Sequence, residues 1–171
     1  MATPQGNRGM LLEQEVELTN KQYAIKGIAQ VQKVATPIKV IKKMPGGKLM
    51  ACWDKKSTVD YIGCLSDGRY ICFDAKETQE KSLKLANIKP HQIEHLKATH
   101  NMGGAAFILV WFRKVGKCYA LPYEALEDYM NTSEAKSIPI KYFEEYGEEI
   151  YFGDNGFTIN YLCVKGEIEN E

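Results

Sequence analysis

The chain has 171 residues, of which 44% are apolar and 11% aromatic, enough to build the core of one domain and too much for a disordered chain. It holds no run of about 18 apolar residues and opens on "MATPQGNRGM" without the apolar stretch of a secretion signal, so the expectation is no membrane span and a cytoplasmic location. Five cysteines (Cys52, Cys64, Cys72, Cys118, Cys163), odd in number and without a C-x-x-C pair, argue against a disulfide framework or a zinc knuckle and read as reduced packing residues.

Residues 7–26, "NRGMLLEQEVELTNKQYAIK", place Leu12, Val16, Thr19 and Tyr23 at helical spacing, with Asn7 as the cap and Gly27 as the stop. Glu13 and Glu17 share a face beside that stripe. "AQVQKVATPIKVIKK" reads as a strand, a break at Thr36-Pro37 and a second strand, and "MPGGK" turns the chain. The net charge is zero but unevenly spread: residues 1–60 carry ten Lys/Arg against five Asp/Glu, residues 121–171 three against twelve. Within residues 39–56 six lysines face one aspartate, interleaved with Trp53. Such a basic hairpin or arm suits a polyanion, and equally suits a solvated hairpin whose lysines serve solubility.

Next comes "STVDYIGCLSDGRYICFDAKE", two apolar runs around Ser66-Asp67-Gly68, a strong hairpin signal. The loop length decides everything that follows. A three-residue loop with Gly68 in the left-handed region pairs 65 with 69 and sets Asp60 opposite Asp74 on one face, about 5 Å apart at Cβ. Lys76, two residues past Asp74, points to the same face. A two-residue loop would put the carboxylates on opposite faces. By itself Asp74-Ala75-Lys76 reads as a strand end meeting solvent; with Asp60 beside it, two acids and a lysine converge. Carboxylates that close repel unless a cation bridges them, and Mg²⁺ is the usual partner of an all-oxygen site. A lysine there orients water or offsets charge on a phosphate, the equipment of a phosphodiester nuclease.

After a polar linker, Pro90 starts a helix ended by Gly103-Gly104, with Ile93 and Leu96 inward. "AAFILVWF" (105–112) is a central strand, and "KCYALPY" its hairpin partner. "EALEDYMN" and "IPIKYFEEYG" read as short helices and "FTINYLCVK" as a last strand, which gives an α/β or α+β domain with a mixed sheet. His91 and His95 stand at the i, i+4 spacing of a zinc pair but outside an HExxH motif, so a capping or DNA-facing role is preferred. The acidic "EEYGEEIYFGDN" reads as solvated surface, and Tyr142, Tyr146 and Tyr151 near it as core or subunit contacts.

The motifs "STVDYIG", "FDAKET" and "HQIEHL", preceded by "NRGMLLEQEVELTNKQY" and "TPIKVI", resemble the RecU family of Holliday junction resolvases, members of the PD-(D/E)XK nuclease superfamily. The resemblance runs from about Asn7 to Ile150. It implies a restriction-endonuclease-like α/β fold, one nuclease domain over residues 1–171, with a protruding basic stalk at 42–56 between the second and third strands. It also implies a homodimer that makes paired symmetric nicks in four-way DNA junctions with Mg²⁺, for which Mn²⁺ would substitute. The alternatives are a junction-binding recombination accessory protein with weak nuclease activity, or a same-fold nuclease for other branched DNA. Recombination proteins are the expected protein partners, and the nucleoid the expected setting, or the host cytoplasm if the trimmed stalk marks a phage-encoded relative.

The same resemblance assigns residues. Asp60 matches the first metal-binding aspartate, Asp74 the acid that is usually glutamate, Lys76 the catalytic lysine, Glu13 a glutamate that completes the metal site, and Gln92 a glutamine expected to orient Lys76 or the water. Arg8 is a candidate phosphate contact; Lys42, Lys43, Lys48, Lys55 and Lys56 are candidate DNA contacts, and Trp53 a candidate for stacking on an opened base step. Val59 stands where a threonine is common, which removes a hydroxyl from that spot.

Overall fold

The structure is a computed structural model and describes residues 10–54 and 58–162. Helix α1 (Met10–Lys26) buries Leu12, Val16, Thr19 and Tyr23, the four positions that the helical period selects, and ends at Gly27, whose φ of 68° an L side chain rarely adopts. Asn7, the expected cap, lies outside the described residues. Strand β1 (Ala29–Lys33) follows, and then the chain leaves the main sheet. A two-stranded antiparallel ribbon, β2 (Ile38–Lys43) and β3 (Leu49–Trp53), projects with every residue of both strands exposed. It starts at Ile38 rather than at 42, because Pro37 interrupts the ladder and, among the described residues, nothing buries either face of the strand that follows.

Strands β4 (Tyr61–Leu65) and β5 (Tyr70–Thr78) form the hairpin in the three-residue register: Tyr61 pairs with Phe73, Cys64 with Tyr70, and the Leu65 N–H donates to the Arg69 carbonyl at 2.9 Å. Gly68 has φ 89°, as the three-residue loop requires. β1 pairs with β4, from Ala29 opposite Leu65 to Lys33 opposite Tyr61, so the ribbon is an insertion between two neighbouring strands. The segment read as a polar linker contains β6 (Ser82–Lys84), which buries Leu83 and pairs with β9 (Ser137–Pro139) in a small second sheet.

Helix α2 (Pro90–Asn101) returns the chain to β7 (Ala105–Phe112), parallel to β5, and β8 (Lys117–Pro122) closes back on it antiparallel. Helices α3 (Tyr123–Thr132) and α4 (Ile140–Tyr146) precede β10 (Glu148–Ile150), which pairs with β8 at the sheet edge. The main sheet therefore runs β1-β4-β5-β7-β8-β10, a mixed sheet with helices on both faces. One face packs α1 against Tyr61, Phe73 and Phe107; the other packs α2, α3 and α4 against Cys72, Ile108 and Val110. Among the described residues no helix is long and apolar enough to cross a membrane.

Two expectations at the acidic end fail. Glu148–Ile150, read as solvated surface, is a sheet strand, whereas 157–162 is not: Phe152 and Ile159 form a single bridge there. The alternation of Phe157, Ile159 and Tyr161 is real burial against α1, but the backbone partners are helix side chains. The Ile159 N–H donates to Thr19 Oγ1 at 3.0 Å, and the Leu162 N–H to the Tyr23 hydroxyl at 3.2 Å. A period of two reports burial, and other acceptors can replace a ladder. Tyr142 is half-buried against Tyr129, while Tyr146 and Tyr151 are exposed at 49% and 60% and are not core.

Thr19→Val keeps the shape of this buried side chain and removes the acceptor of the Ile159 amide. The expected loss is about 1–3 kcal/mol in urea unfolding, the cost of a buried unpaired donor, with Thr19→Ser much closer to the wild type.

Candidate active site

The hairpin register carries Asp60 and Asp74 to one spot. Along β5, Phe73 and Ala75 face α1, so Asp74 and Lys76 face α2. Asp60, one residue before β4, accepts a hydrogen bond from the Ala75 N–H at 3.0 Å, which fixes its carboxylate across the strand from Asp74. The Lys76 ammonium lies between the two, 3.8 Å from Asp60 Oδ2 and in an ion pair with Asp74 Oδ2. Asp74 is fully buried, whereas the Lys76 and Asp60 side chains keep 19% and 27% of their exposure, so the trio opens to solvent on the Asp60 side.

Helix α2 supplies the fourth member. Its start is set by Pro90, and Gln92 sits in the first turn, where its Oε1 accepts the Lys89 N–H at 2.8 Å while its Nε2 donates to Asp74 Oδ1 at 2.6 Å. Gln92 thus grips the carboxylate of Asp74, where the expectation was Lys76 or a water. Asp74 Oδ2 faces the lysine and has no hydrogen-bond donor aligned on it. Burial pushes the Asp74 carboxyl up to about 7 and the Asp60 charge adds to that rise, against the Lys76 ammonium, which opposes it.

The remaining expected residues scatter. The Glu13 carboxylate forms an ion pair with Lys33 on the α1 side, and among the described residues no three His, Cys, Asp or Glu side chains gather closely enough to hold a metal ion. That also leaves His91 and His95 without a zinc site; His95 is half-buried, its Nε2 unpartnered, and burial holds its pKa below the ordinary value. Val59 is buried in the α2-side core. Lys42, Lys43 and Lys48 lie exposed on the ribbon, and Trp53 is 75% exposed, paired across the strands with Ile38. Arg8, Lys55 and Lys56 lie outside the described residues. Two residues missed by the sequence reading, Tyr61 and Glu77, follow Asp60 and Lys76 directly and reach the opposite face, where the Glu77 carboxylate accepts the Leu12 N–H at 2.8 Å. A glutamate inside a strand that faces a helix is the one signal that would have found the second.

The family pattern described as "Recombination protein U" matches residues 7–166. The chain belongs to the RecU family. A protein of Pediococcus pentosaceus named Holliday junction resolvase RecU is 36% identical over 96% of this chain and 86% of its own length. One of Streptococcus equi subsp. equi with the same name is 37% identical over 86% of this chain and 76% of its own. Among solved structures, a Holliday junction resolvase of Archaeoglobus fulgidus covers 78% of this chain and 94% of its own with a TM-score of 0.47 at 15% identity, a likeness too distant to say anything of function. The RecU match spans α1, the ribbon, the β4–β5 hairpin and α2, so the four residues that the structure brings together all lie within it.

Burial of Asp74 has a measurable consequence for stability. Its folded pKa lies above the ordinary 3.8, so the unfolded chain releases this proton first. The carboxyl therefore contributes stability that is full below about pH 4 and lost as the pH rises through about 7. In EDTA, urea unfolding should show the wild type falling relative to Asp74→Asn across that window, and parallel pH profiles would refute it.

Proposed function

We propose that this chain is a divalent-metal-dependent endonuclease that resolves four-way DNA junctions. What carries the proposal is the convergence of Asp60, Asp74 and Lys76 on one face of β4–β5, in a chain whose relatives are named Holliday junction resolvases. The donor set fits a hard cation. Two carboxylates already share one positive charge there, and Mg²⁺ needs only one or two protein carboxylates, since waters and phosphate oxygens fill its other positions. Asp60 and Asp74 would hold the ion, with Glu13 joining them if it exchanges its Lys33 partner, and Mn²⁺ would substitute. The bound ion supplies Lewis acidity at the scissile phosphate and lowers the pKa of a water.

The chain's own residues do the rest. Gln92 fixes Asp74 by a hydrogen bond anchored in the first turn of α2, so that carboxylate cannot rotate away when phosphate approaches. Asp60 is held by the Ala75 amide of the neighbouring strand β5. The ammonium of Lys76 positions the attacking water through its N–H donors and offsets the charge that develops on the phosphoryl oxygens. Exposed lysines of the ribbon, with Lys55, Lys56 and Arg8, would contact the backbone of the DNA, and Trp53 would stack on a base step. Two equal nicks require two equal sites, which a C₂ homodimer presents to two strands.

Asp74→Ala and Lys76→Ala should each reduce cleavage at least about 1000-fold, while binding of a four-way junction in Ca²⁺ survives. Residual cutting near wild-type rates would remove these residues from the site. In Mg²⁺, a four-way junction should be cut in preference to a linear duplex of equal length; equal rates would sink the junction assignment and leave a nuclease for other DNA. Deleting residues 44–53 should erase that preference more than it slows the chemistry, read as the ratio of the two rates.

A further inference from the structure

The small sheet of β6 and β9 carries a concentration of uncancelled positive charge. Leu83 and Ile138 point inward from its two strands and join the α2-side core with Val110 and Phe112, so it rests on the face of the main sheet that carries Asp74 and Lys76. The alternation sends Ser82, Lys84, Ser137 and Pro139 outward. At one end Lys84 pairs with Ser137 and the Leu85 N–H donates to the Lys136 carbonyl at 3.0 Å, which brings Lys84 and Lys136 together. At the other end the Ile140 N–H donates to the Lys81 carbonyl at 2.9 Å, which brings Lys81 to Lys141. The two ends lie about 10 Å apart, three strand residues at about 3.3 Å each. All four lysines are exposed, and among the described residues no carboxylate pairs with any of them. Residues 78–89 and 133–141 hold five lysines against two glutamates, so the charge is not neutralised nearby.

The fifth lysine leads to the site. The Lys89 ammonium donates to the Ala86 carbonyl at 2.8 Å, and its backbone N–H donates to Gln92 Oε1, whose Nε2 donates to Asp74 Oδ1. The basic surface thus ends two hydrogen bonds from the buried carboxylate. The ribbon leaves the main sheet beside β4, whereas the small sheet follows the end of β5, so lysines approach the site from two separate parts of the fold. We propose that the β6–β9 sheet, through Lys81, Lys84, Lys136 and Lys141, is a second binding surface for the phosphate backbone of DNA. This rests on the reading of the chain as a DNA nuclease. Ammonium groups and the hydroxyls of Ser82 and Ser137 are donors to phosphate oxygens; such contacts carry no sequence information and fix the strand's register relative to the site. The centre of a protein interface would be apolar, and among the described residues no large exposed apolar side chain falls within 81–89 or 133–141.

The test is the salt dependence of four-way junction binding in Ca²⁺, followed by fluorescence anisotropy. Each phosphate contact adds close to one unit to the slope of log affinity against log salt. The double variant Lys84→Ala/Lys136→Ala should therefore lower that slope by about two and weaken binding at least about 10-fold near 0.1 M salt. Lys81→Ala/Lys141→Ala should do the same from the other end of the sheet. Lys21→Ala, which removes an exposed lysine of α1 across the main sheet, should leave the slope unchanged. In Mg²⁺ both double variants should raise KM for junction cleavage while kcat stays within about threefold, because these lysines touch none of the reacting atoms. Double variants with the wild-type slope, an equal loss of slope in Lys21→Ala, or weaker binding at an unchanged slope would each overturn the proposal. So would double variants that bind the junction like the wild type yet lose binding to polyglutamate, the sign of a surface for an acidic protein. Wild-type protein that binds no DNA would instead overturn the nuclease reading beneath it.

Discussion

The pairing register of β4 and β5 is the constraint on which the rest of the molecule depends. Side chains alternate along a strand, so a slip of one residue would send Asp60 to the α1 face and leave Asp74 and Lys76 alone on the other. What prevents the slip is chemistry at the turn, far from the site. Asp67 accepts the Arg69 N–H at 2.9 Å and pairs with the Arg69 guanidinium, and Gly68 takes the left-handed conformation at φ 89°. Those contacts hold the Asp67 carboxyl below the usual range, chiefly through the Arg69 amide, so the anchor stays charged at neutral pH. A surface turn thus sets the geometry of a buried carboxylate.

That carboxylate is costly to the fold. A fully buried acid with a second acid beside it is stabilised by one ammonium and one amide, and desolvation works against it throughout. The surrounding structure is arranged to tolerate the strain. Behind Asp74 on the α1 side, Phe73 stacks on Tyr61 at 4.9 Å and on Phe107 at 4.8 Å, a rigid aromatic layer that keeps β4, β5 and β7 from shearing. In front, the capping hydrogen bond of α2 restrains Gln92 in one rotamer. Stability is supplied by the core and consumed at this buried carboxylate.

The sequence revealed these features unequally, for physical reasons. The register of Asp60 and Asp74 was legible because loop length, glycine conformation and a period of two are all local. The stripe of Leu12, Val16, Thr19 and Tyr23 was legible for the same reason. The strand expected after Phe157 was not, because alternating burial does not say whether a backbone amide will meet another strand or, as here, Thr19 and Tyr23 of a helix some 140 residues earlier. The partner of Gln92 was missed too, since a family pattern names a residue without saying which oxygen its amide will reach. Glu77 stood in plain view within "FDAKET", but its role is visible only when α1 is placed against the back of the sheet.

The ribbon obeys a different logic from the sheet. With every residue of β2 and β3 exposed, including Ile38, Val40 and Trp53 on one face, burial contributes almost nothing to its stability, and an isolated two-stranded ribbon is marginal in water. Its order must come from its root and from whatever it meets. The root is joined to the site by a short path: the Val34 N–H donates to the Asp60 carbonyl at 2.8 Å, so the chain enters the ribbon beside the residue that faces Asp74. The ribbon thus leaves the sheet beside Asp60, whereas Asp74 and Lys76 lie on the central strand β5, where Gln92 of α2 is bonded to Asp74.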